Sequence, residues 1–424
     1  MVGEWKGGIA PVPSDARTLR GIDFAAIWAG ANIAVPMWLY GSFMADAGFT
    51  SAIIATVLGA IIGSLILASV GRIGADYGIP TLVSSRPSFG IRGSYIPSVV
   101  NVIQLTFWTG MMIWINTTTI QTACELGNLP FNYVGVTLLG GALCIGIAMG
   151  GAVAWKWFAR IAVSGLIVLA AIATWVGLHQ YSLSEIMAAL PYKGLPFPVA
   201  LDMAIAMPLS WVPCICDYTR FAKSTKGAFR GILSGHIPSM IWFYVVGMIL
   251  VAVTSEYSPV ASMVLMGLGI PALFIIWLST ITTAFLDIYS GAVSLLNVFG
   301  KLKQWVAILI VGGIGIGLAF LPWLQVTERF LLILGSLFVP MFAIVLVHYF
   351  ILAKRRFMVE DIYKSKEGAY WYKSGFDIWT IAIWLIGFAL YQLIANQLAV
   401  IGASLVTFIA TALLYWAVEK NLRR

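Results

Sequence analysis

STITTAFLDIYSGAVSLLN, residues 279–297, sets a carboxylate, Asp287, inside a stretch that otherwise reads as a membrane-crossing helix. The apolar run IPALFIIWL (270–278) leads into it, and the next basic residues, Lys301 and Lys303, follow Gly300. In one continuous helix Asp287 stands roughly 20 Å from that cationic end, at about 1.5 Å per residue. That depth is near the middle of a hydrocarbon layer about 30 Å thick. An ionisable group there costs at least ~2.5–3.5 kcal/mol on insertion scales, so it is expected to face a protein interior or a wet cavity. Ser279, Thr282, Thr283, Asp287, Ser290, Ser294 and Asn297 follow at helical spacing, one polar stripe on an apolar helix. Ser and Thr alone often serve as glue between membrane helices. A stripe that also carries an acid points to a site.

The rest of the chain is of the same kind. Its 424 residues are 60% hydrophobic and only 10% charged, with a mean hydropathy of +0.94. A soluble domain cannot hide that much apolar surface, so the expectation is an all-α polytopic protein whose solvent is the lipid bilayer. The net charge of +8 does not indicate nucleic acid, because the charges sit in loops and read as topology signals. Cys124, Cys144, Cys214 and Cys216 lie in or beside apolar segments. The pair at 214 and 216 lacks the spacing and partners of a zinc site, and packing is the expected role. His179, His236 and His348 fall near the outer surface, at the start of the seventh span and at the end of the tenth. They form no catalytic dyad or metal cluster, and no enzyme activity or cofactor is expected. Residues 1–20 are polar, with no apolar run before a cleavage site, so no signal peptide is expected.

Hydropathy gives twelve spans, near 22–44, 51–71, 97–121, 133–153, 158–179, 198–218, 232–254, 269–298, 304–321, 330–352, 376–394 and 398–417. Even numbering puts both termini on one side. With the N-terminus cytoplasmic, every Lys and Arg except Lys193 and Arg329 falls in a cytoplasmic segment, including 72–92, 156–160, 220–230, 301–303 and 354–373. That asymmetry sets the orientation in the cytoplasmic (inner) membrane.

Two spans are interrupted. The first reads IWAGANIAVPMWLYG, with Gly30 and Pro36 bracketing Asn32, and is expected to unwind or kink near residues 31–35. The sixth reads MAIAMPLSWVPCICDYTRFAK, with Pro208 and Pro213 around Ser210 and Trp211. Backbone freed at that depth is tolerated only where it lines a cavity or coordinates something. Breaks five spans apart are the sequence mark of an inverted-repeat transporter and of its binding site. Spans 1–5 and 6–10 share no residue-level similarity that would prove the repeat.

The third span, NVIQLTFWTGMMIWINTTTIQ, carries Gln104, Trp108 and Met112 on one face. A mid-membrane indole beside a Gln is a stacking platform for a flat heterocycle, although a lone Trp is commonly packing. Asn116–Thr119 and Gln121 read as interface residues, and the Gly- and Pro-bearing loop SSRPSFGIRGSYIPS (84–98) as a cytoplasmic surface segment. The last two spans follow a charged loop and show no interruption, so they are expected as an accessory pair.

These stretches resemble the nucleobase:cation symporter-1 family, in its cytosine permease and hydroxymethylpyrimidine transporter branch. The resemblance is carried by PVPSDAR (11–17), RPSFGIRGSYIPS (86–98), NVIQLTFWTG (101–110), MPLSWVPCICDYTRFAK (207–223) and STITTAFLDIYSGAVS (279–294). It implies a five-plus-five inverted repeat of the LeuT type, with repeats at about 22–179 and 198–352 inside a ten-helix core, 22–352. Around it come a cytoplasmic segment 1–21, a cytoplasmic loop 353–375, two accessory helices in 376–417 and a cytoplasmic tail 418–424. It further implies alternating access, a substrate site between spans 1, 3, 6 and 8, and a coupling ion, sodium or a proton. The ion ligands carried over are the carbonyls of Ala29 and Asn32 with Ser279, Thr282 and Thr283. The family tryptophan of span three matches Trp108. The span-six aromatic aligns with Pro208, which leaves Trp211 one turn on, and the span-eight amide aligns with Ala284, which leaves Asp287.

The expected substrate site is therefore Asn32, Gln104, Trp108, Ser210, Trp211 and Asp287, and the expected substrate a small pyrimidine, hydroxymethylpyrimidine before cytosine. Another heterocycle such as a purine or hydantoin, an amino acid, or a facilitator channel are the alternatives. A channel would need an uninterrupted pore lining, and an amino-acid carrier would capture a carboxylate with the amides of its broken first helix. The oligomeric state is open, a monomer being compatible.

Overall fold

The computed structural model describes residues 9–150, 152–299, 301–364, 366, 368–397 and 402–422, with the side chains of 152–159 and 297 outside the description. It is helical throughout, apart from isolated bridges. Among the described residues 10 helices are long and apolar enough to cross a membrane. They are span 2 (Phe49–Tyr77), span 3 (Tyr95–Leu126), span 4 (Tyr133–Gly150), span 5 (Ala152–Gln180), span 6 (Phe197–Trp211 extended to Thr219), span 7 (Thr225–Thr254), span 8 (Gly269–Val298), span 10 (Trp323–Leu346, continued by Val347–Leu352), span 11 (Ile378–Gln397) and span 12 (Ala403–Leu422). Span 1 is the bent pair Gly21–Asn32 and Val35–Met44, and span 9 is the shorter apolar helix Gln304–Leu318. With the bent pair as one span this makes 11 among the described residues, and the 15-residue Gln304–Leu318 stands where hydropathy places the remaining one, roughly consistent with the twelve expected.

The packing repeats under a shift of five spans. Span 1 lies on span 7 as span 6 lies on span 2; span 3 touches spans 4 and 9 as span 8 touches spans 9 and 4; spans 3 and 8 pair with each other most extensively. Each half is thus placed by its counterpart rather than by its chain neighbour. Spans 5 and 10 depart from the pattern. Span 10 packs along span 6, whereas among the described residues span 5 makes little contact with span 1.

Span 1 breaks where the sequence places the break. Its first half ends at Asn32, Ala34 is extended (φ −147, ψ 147), and the two halves meet at 63°. Pro36 sits in the first turn of the second half, where a missing N–H leaves no gap in the helix ladder. Glycines let span 7 lie against both halves. A Cβ on Gly235 would stand 2.1 Å from the Ala25 carbonyl oxygen, and one on Gly247 2.0 Å from that of Trp38. Span 6 is interrupted later than the proline pair suggests: the helix runs through Pro208, and the ladder fails at the 3-10 turn Val212–Cys214, around Pro213.

The segment 84–98 is not a surface loop. Ser84, Arg86, Ser88 and Phe89 are buried. A distant stretch covers them: the Asp377 N–H donates to the Phe89 carbonyl (2.8 Å), the Arg92 N–H to that of Gly375 (2.8 Å), and the Tyr372 hydroxyl to that of Pro87 (2.5 Å). Arg86 donates to the Ile362 carbonyl at 3.1 Å, and burial pushes its guanidinium below its ordinary pKa. Asn116, Thr117 and Thr119 are likewise interior rather than interfacial, with Asn116 donating to Thr280 (3.3 Å) and Thr117 to Thr137 (3.2 Å).

Candidate functional site

A cavity of about 260 Å³ lies where the two interrupted spans face spans 3, 5 and 8. Its wall on span 1 is the broken turn itself: Gly30, Ala31, Ile33, Ala34 and Pro36, preceded by Ile27 and Trp28. Span 8 contributes Ser279, Thr282, Thr283, Asp287 and Ser290, so the helical period that defines the stripe does aim most of it at one space. The stripe's lower end does something else. Ser294 accepts a hydrogen bond from the Asn101 side-chain amide at 2.9 Å, and the Asn297 side chain lies outside the described residues.

Of the expected substrate residues, Trp108, Ser210, Trp211 and Asp287 share this cavity. Asp287 is 5% exposed, and its Oδ2 is buried without a hydrogen-bond partner. Trp108 packs edge-on against Tyr40 (6.0 Å) and Phe330 (5.1 Å), and these buried rings close the cavity on one side. Trp211 stands edge-on to Trp28 at 6.0 Å. Ile27, Val163, Ser290 and Tyr218 also line the cavity and are less buried than Trp108, Tyr218 being 37% exposed.

Asn32 and Gln104 are not among the cavity residues. The Asn32 amide turns away into span 7, donating to the His236 carbonyl (2.8 Å) and the Ser239 hydroxyl (3.2 Å). Gln104 donates to Asn101 Oδ1 (2.7 Å) and to the Ser210 carbonyl (2.8 Å). His236, expected at the start of a span, is fully buried and its Nδ1 meets Ser64 Oγ at 2.9 Å.

The five residues named for the ion divide in the same way. Ser279, Thr282 and Thr283 line the cavity beside the broken turn. The hydroxyls of Thr282 and Thr283 both donate to the Ser279 carbonyl, at 2.8 and 3.1 Å, which leaves their oxygen lone pairs available. The Ala29 carbonyl accepts the Ile33 N–H at 3.1 Å, and neither Ala29 nor Asn32 is in the cavity wall. Among the described residues no group of three His, Cys, Asp or Glu could hold a metal, so a cation here would rely on hydroxyl and backbone oxygens.

Sequence reasoning passed over Trp28 and Tyr218 and gave Cys214 to packing, yet all three line the cavity. Trp28 carried the signal that singled out Trp108, an indole well inside a span, and it stands one turn before the break. Tyr218 lies beyond the break in span 6 and offered no such mark.

A cavity walled by two interrupted helices related through a five-span repeat is the architecture of a secondary transporter. The chain belongs to the nucleobase:cation symporter-1 family: the family model described as permease for cytosine/purines, uracil, thiamine and allantoin matches residues 11–419. It is 25% identical to the hydantoin permease of Microbacterium maritypicum (93% of this chain, 85% of the relative) and 26% identical to a purine-uracil permease of Arabidopsis thaliana (98% and 78%). The cytosine permease of Escherichia coli K12 is 23% identical over 74% of this chain and 73% of its own. Among solved structures the fold is similar to Mhp1 in an inward-facing conformation (TM-score 0.86, 22% identity, 98% of this chain and 94% of that one). It is also similar to Mhp1 in a closed conformation with bromovinylhydantoin bound (TM-score 0.82, 21% identity, 98% and 96%).

Proposed function

We propose that the protein imports an aminopyrimidine, hydroxymethylpyrimidine before cytosine, with a cation as the driving partner. The observation that carries the reading is Asp287: a carboxyl with a buried, unpartnered oxygen in the same cavity as two indoles. A neutral, protonated carboxyl is the form this reading assigns to Asp287. Such a group offers one donor and one acceptor side by side. A 4-aminopyrimidine presents the complement, an exocyclic amine next to a ring nitrogen. Trp108 and Trp211 supply aromatic faces or edges for the flat ring, each worth roughly 0.5–1.5 kcal/mol beyond burial. The coupling ion sits against the broken turn of span 1, with Ser279, Thr282 and Thr283 as ligands; the carbonyls of Ala29 and Asn32, which do not line the cavity, are the further ligands that the family resemblance names. A hard monovalent cation such as sodium suits that oxygen-only set, and a proton on Asp287 is the other carrier. The distribution of Lys and Arg supports both termini in the cytoplasm.

A second reading is favoured by the names of the relatives. A hydantoin or allantoin ring also carries an N–H beside a carbonyl, which a neutral carboxyl can pair. Binding to the purified protein separates the two, using hydroxymethylpyrimidine, cytosine, hydantoin, allantoin and a purine, with and without sodium, across pH. Selective binding raises apparent stability by mass action. Aminopyrimidine binding tightened by sodium supports the first reading. Binding of hydantoin or allantoin alone replaces it with the second. Binding indifferent to sodium and steep in pH moves the coupling role to Asp287.

A further inference from the structure

At the break in span 6, Pro213 has no N–H to give the Leu209 carbonyl, which takes the Val212 N–H instead. The next carbonyl, Ser210, receives the Gln104 amide from span 3 at 2.8 Å. The other hydrogen of the same nitrogen goes to Asn101 Oδ1 at 2.7 Å, and the Asn101 amide donates in turn to Ser294 of span 8 at 2.9 Å. Asn101 Nδ2 also lies 3.9 Å from Cys214 Sγ, at the far end of the turn. Gln104 is 1% exposed, and its own oxygen, Oε1, is buried without a partner. An apolar residue of the same length would avoid that orphaned oxygen, so the position is held for its donors.

We propose that Gln104 and Asn101 are positioning residues that fix the non-helical turn of span 6 to spans 3 and 8, and thereby set Ser210 and Trp211 in the cavity wall. Both side chains act through the turn rather than by touching the substrate. Ser210 is held through its carbonyl, Trp211 follows it in the chain, and Cys214 is the last residue the relay reaches. The inference rests on the reading of this cavity as the carrier's substrate site.

The test uses the thiols already present. Cys214 is 9% exposed and lines the cavity, whereas Cys216, two residues on, is fully buried and donates to the Val70 carbonyl at 3.3 Å. Purified full-length protein without substrate is treated with N-ethylmaleimide, and each cysteine peptide is followed by mass spectrometry. Gln104→Met keeps the side-chain length and removes both donors. It should raise the labelling rate of Cys214 roughly 3- to 10-fold, the scale of one net hydrogen bond acting on a local opening, and leave Cys216 unchanged. Ser294→Ala removes one partner of Asn101 at the far end of the relay and should raise the same rate by a smaller factor, which keeps the test open if Gln104→Met does not fold. A wild-type rate at Cys214 in the variants that fold, or an equal rise at Cys214 and Cys216, overturns the proposal. Slowing of Cys214 labelling by an added heterocycle tests the substrate reading separately, since the comparison of variants is made without ligand.

Discussion

Asp202 and Asp287 are both acids inside spans, 4% and 5% exposed, and the protein treats them oppositely. Asp202, in span 6, accepts the Ala403 N–H through Oδ2 (2.6 Å) and the Ser404 N–H through Oδ1 (2.8 Å). Those are the first residues of span 12, where a helix has N–H groups with no partner of their own and a positive dipole end. Asp202 thus fastens the accessory pair to the core. Asp287 has no such arrangement: one oxygen is buried and unpartnered, and the side chain borders a cavity. An acid in a membrane interior is expensive unless it is matched. A matched acid is explained by its partners, whereas an unmatched one at a cavity is what the proposed substrate role accounts for.

The largest effect should come from the matched acid. Asp202→Ala leaves two backbone N–H groups buried and unpaired, at a cost of about 1–3 kcal/mol each. We expect a large fall in apparent melting temperature of the purified protein, with Asp202→Asn intermediate because it retains one acceptor oxygen. If Asp202→Ala melts like wild type, the fastening role is wrong and the comparison loses one side.

Asp287 should behave in the reverse way. Asp287→Ala should leave melting temperature near wild type while weakening aminopyrimidine binding by about 1–3 kcal/mol, because the ligand's polar groups are left unpaired in a dry site. Asp287→Asn keeps a donor and an acceptor in nearly the same shape, so it should retain part of the binding and flatten its pH dependence. Wild-type affinity in a folded Asp287→Ala would remove the residue from the site, and a loss of stability without a change in selectivity would make it a brace.

Asp287 was legible in the sequence because its neighbours fall at helical spacing, and a stripe on one helix needs no knowledge of what lies opposite. The span 1 break was legible for a similar reason, since Gly30 and Pro36 act on their own backbone. Asp202 obeys the same rule for intramembrane acids, but its partners are backbone N–H groups 201 and 202 residues away, which leave no pattern in the residue types. The burial of 84–98 escaped in the same manner. Its polar and glycine-bearing text matches a surface loop, and only the return of residues 370–377 in space covers it. Asn32 and Gln104, expected to bind the substrate, are buried but do not line the cavity. Helical spacing alone does not say that one faces span 7 and the other the backbone of span 6.

The smallest effect sharpens the comparison from the water side. Asp76, at the end of span 2, is fully matched: it accepts from Thr225 Oγ1 (2.5 Å), from the Tyr349 hydroxyl, and from Arg355 Nε (3.2 Å) and Nη2 (2.7 Å). By partners alone, Arg355 would look as important as the contacts of Asp202. Exposure decides otherwise, because the Arg355 side chain is 42% and the Asp76 side chain 16% accessible. Ion pairs that wet contribute about 0.2–1 kcal/mol, and salt screens them. Arg355→Ala should therefore lower the melting temperature slightly at low ionic strength, with the difference from wild type shrinking in high salt as Thr225 and Tyr349 continue to hold the carboxylate. Melting curves at low and high salt check this. An Arg355→Ala defect as large as that of Asp202→Ala, and insensitive to salt, would show that partner number rather than burial ranks the acids of this protein.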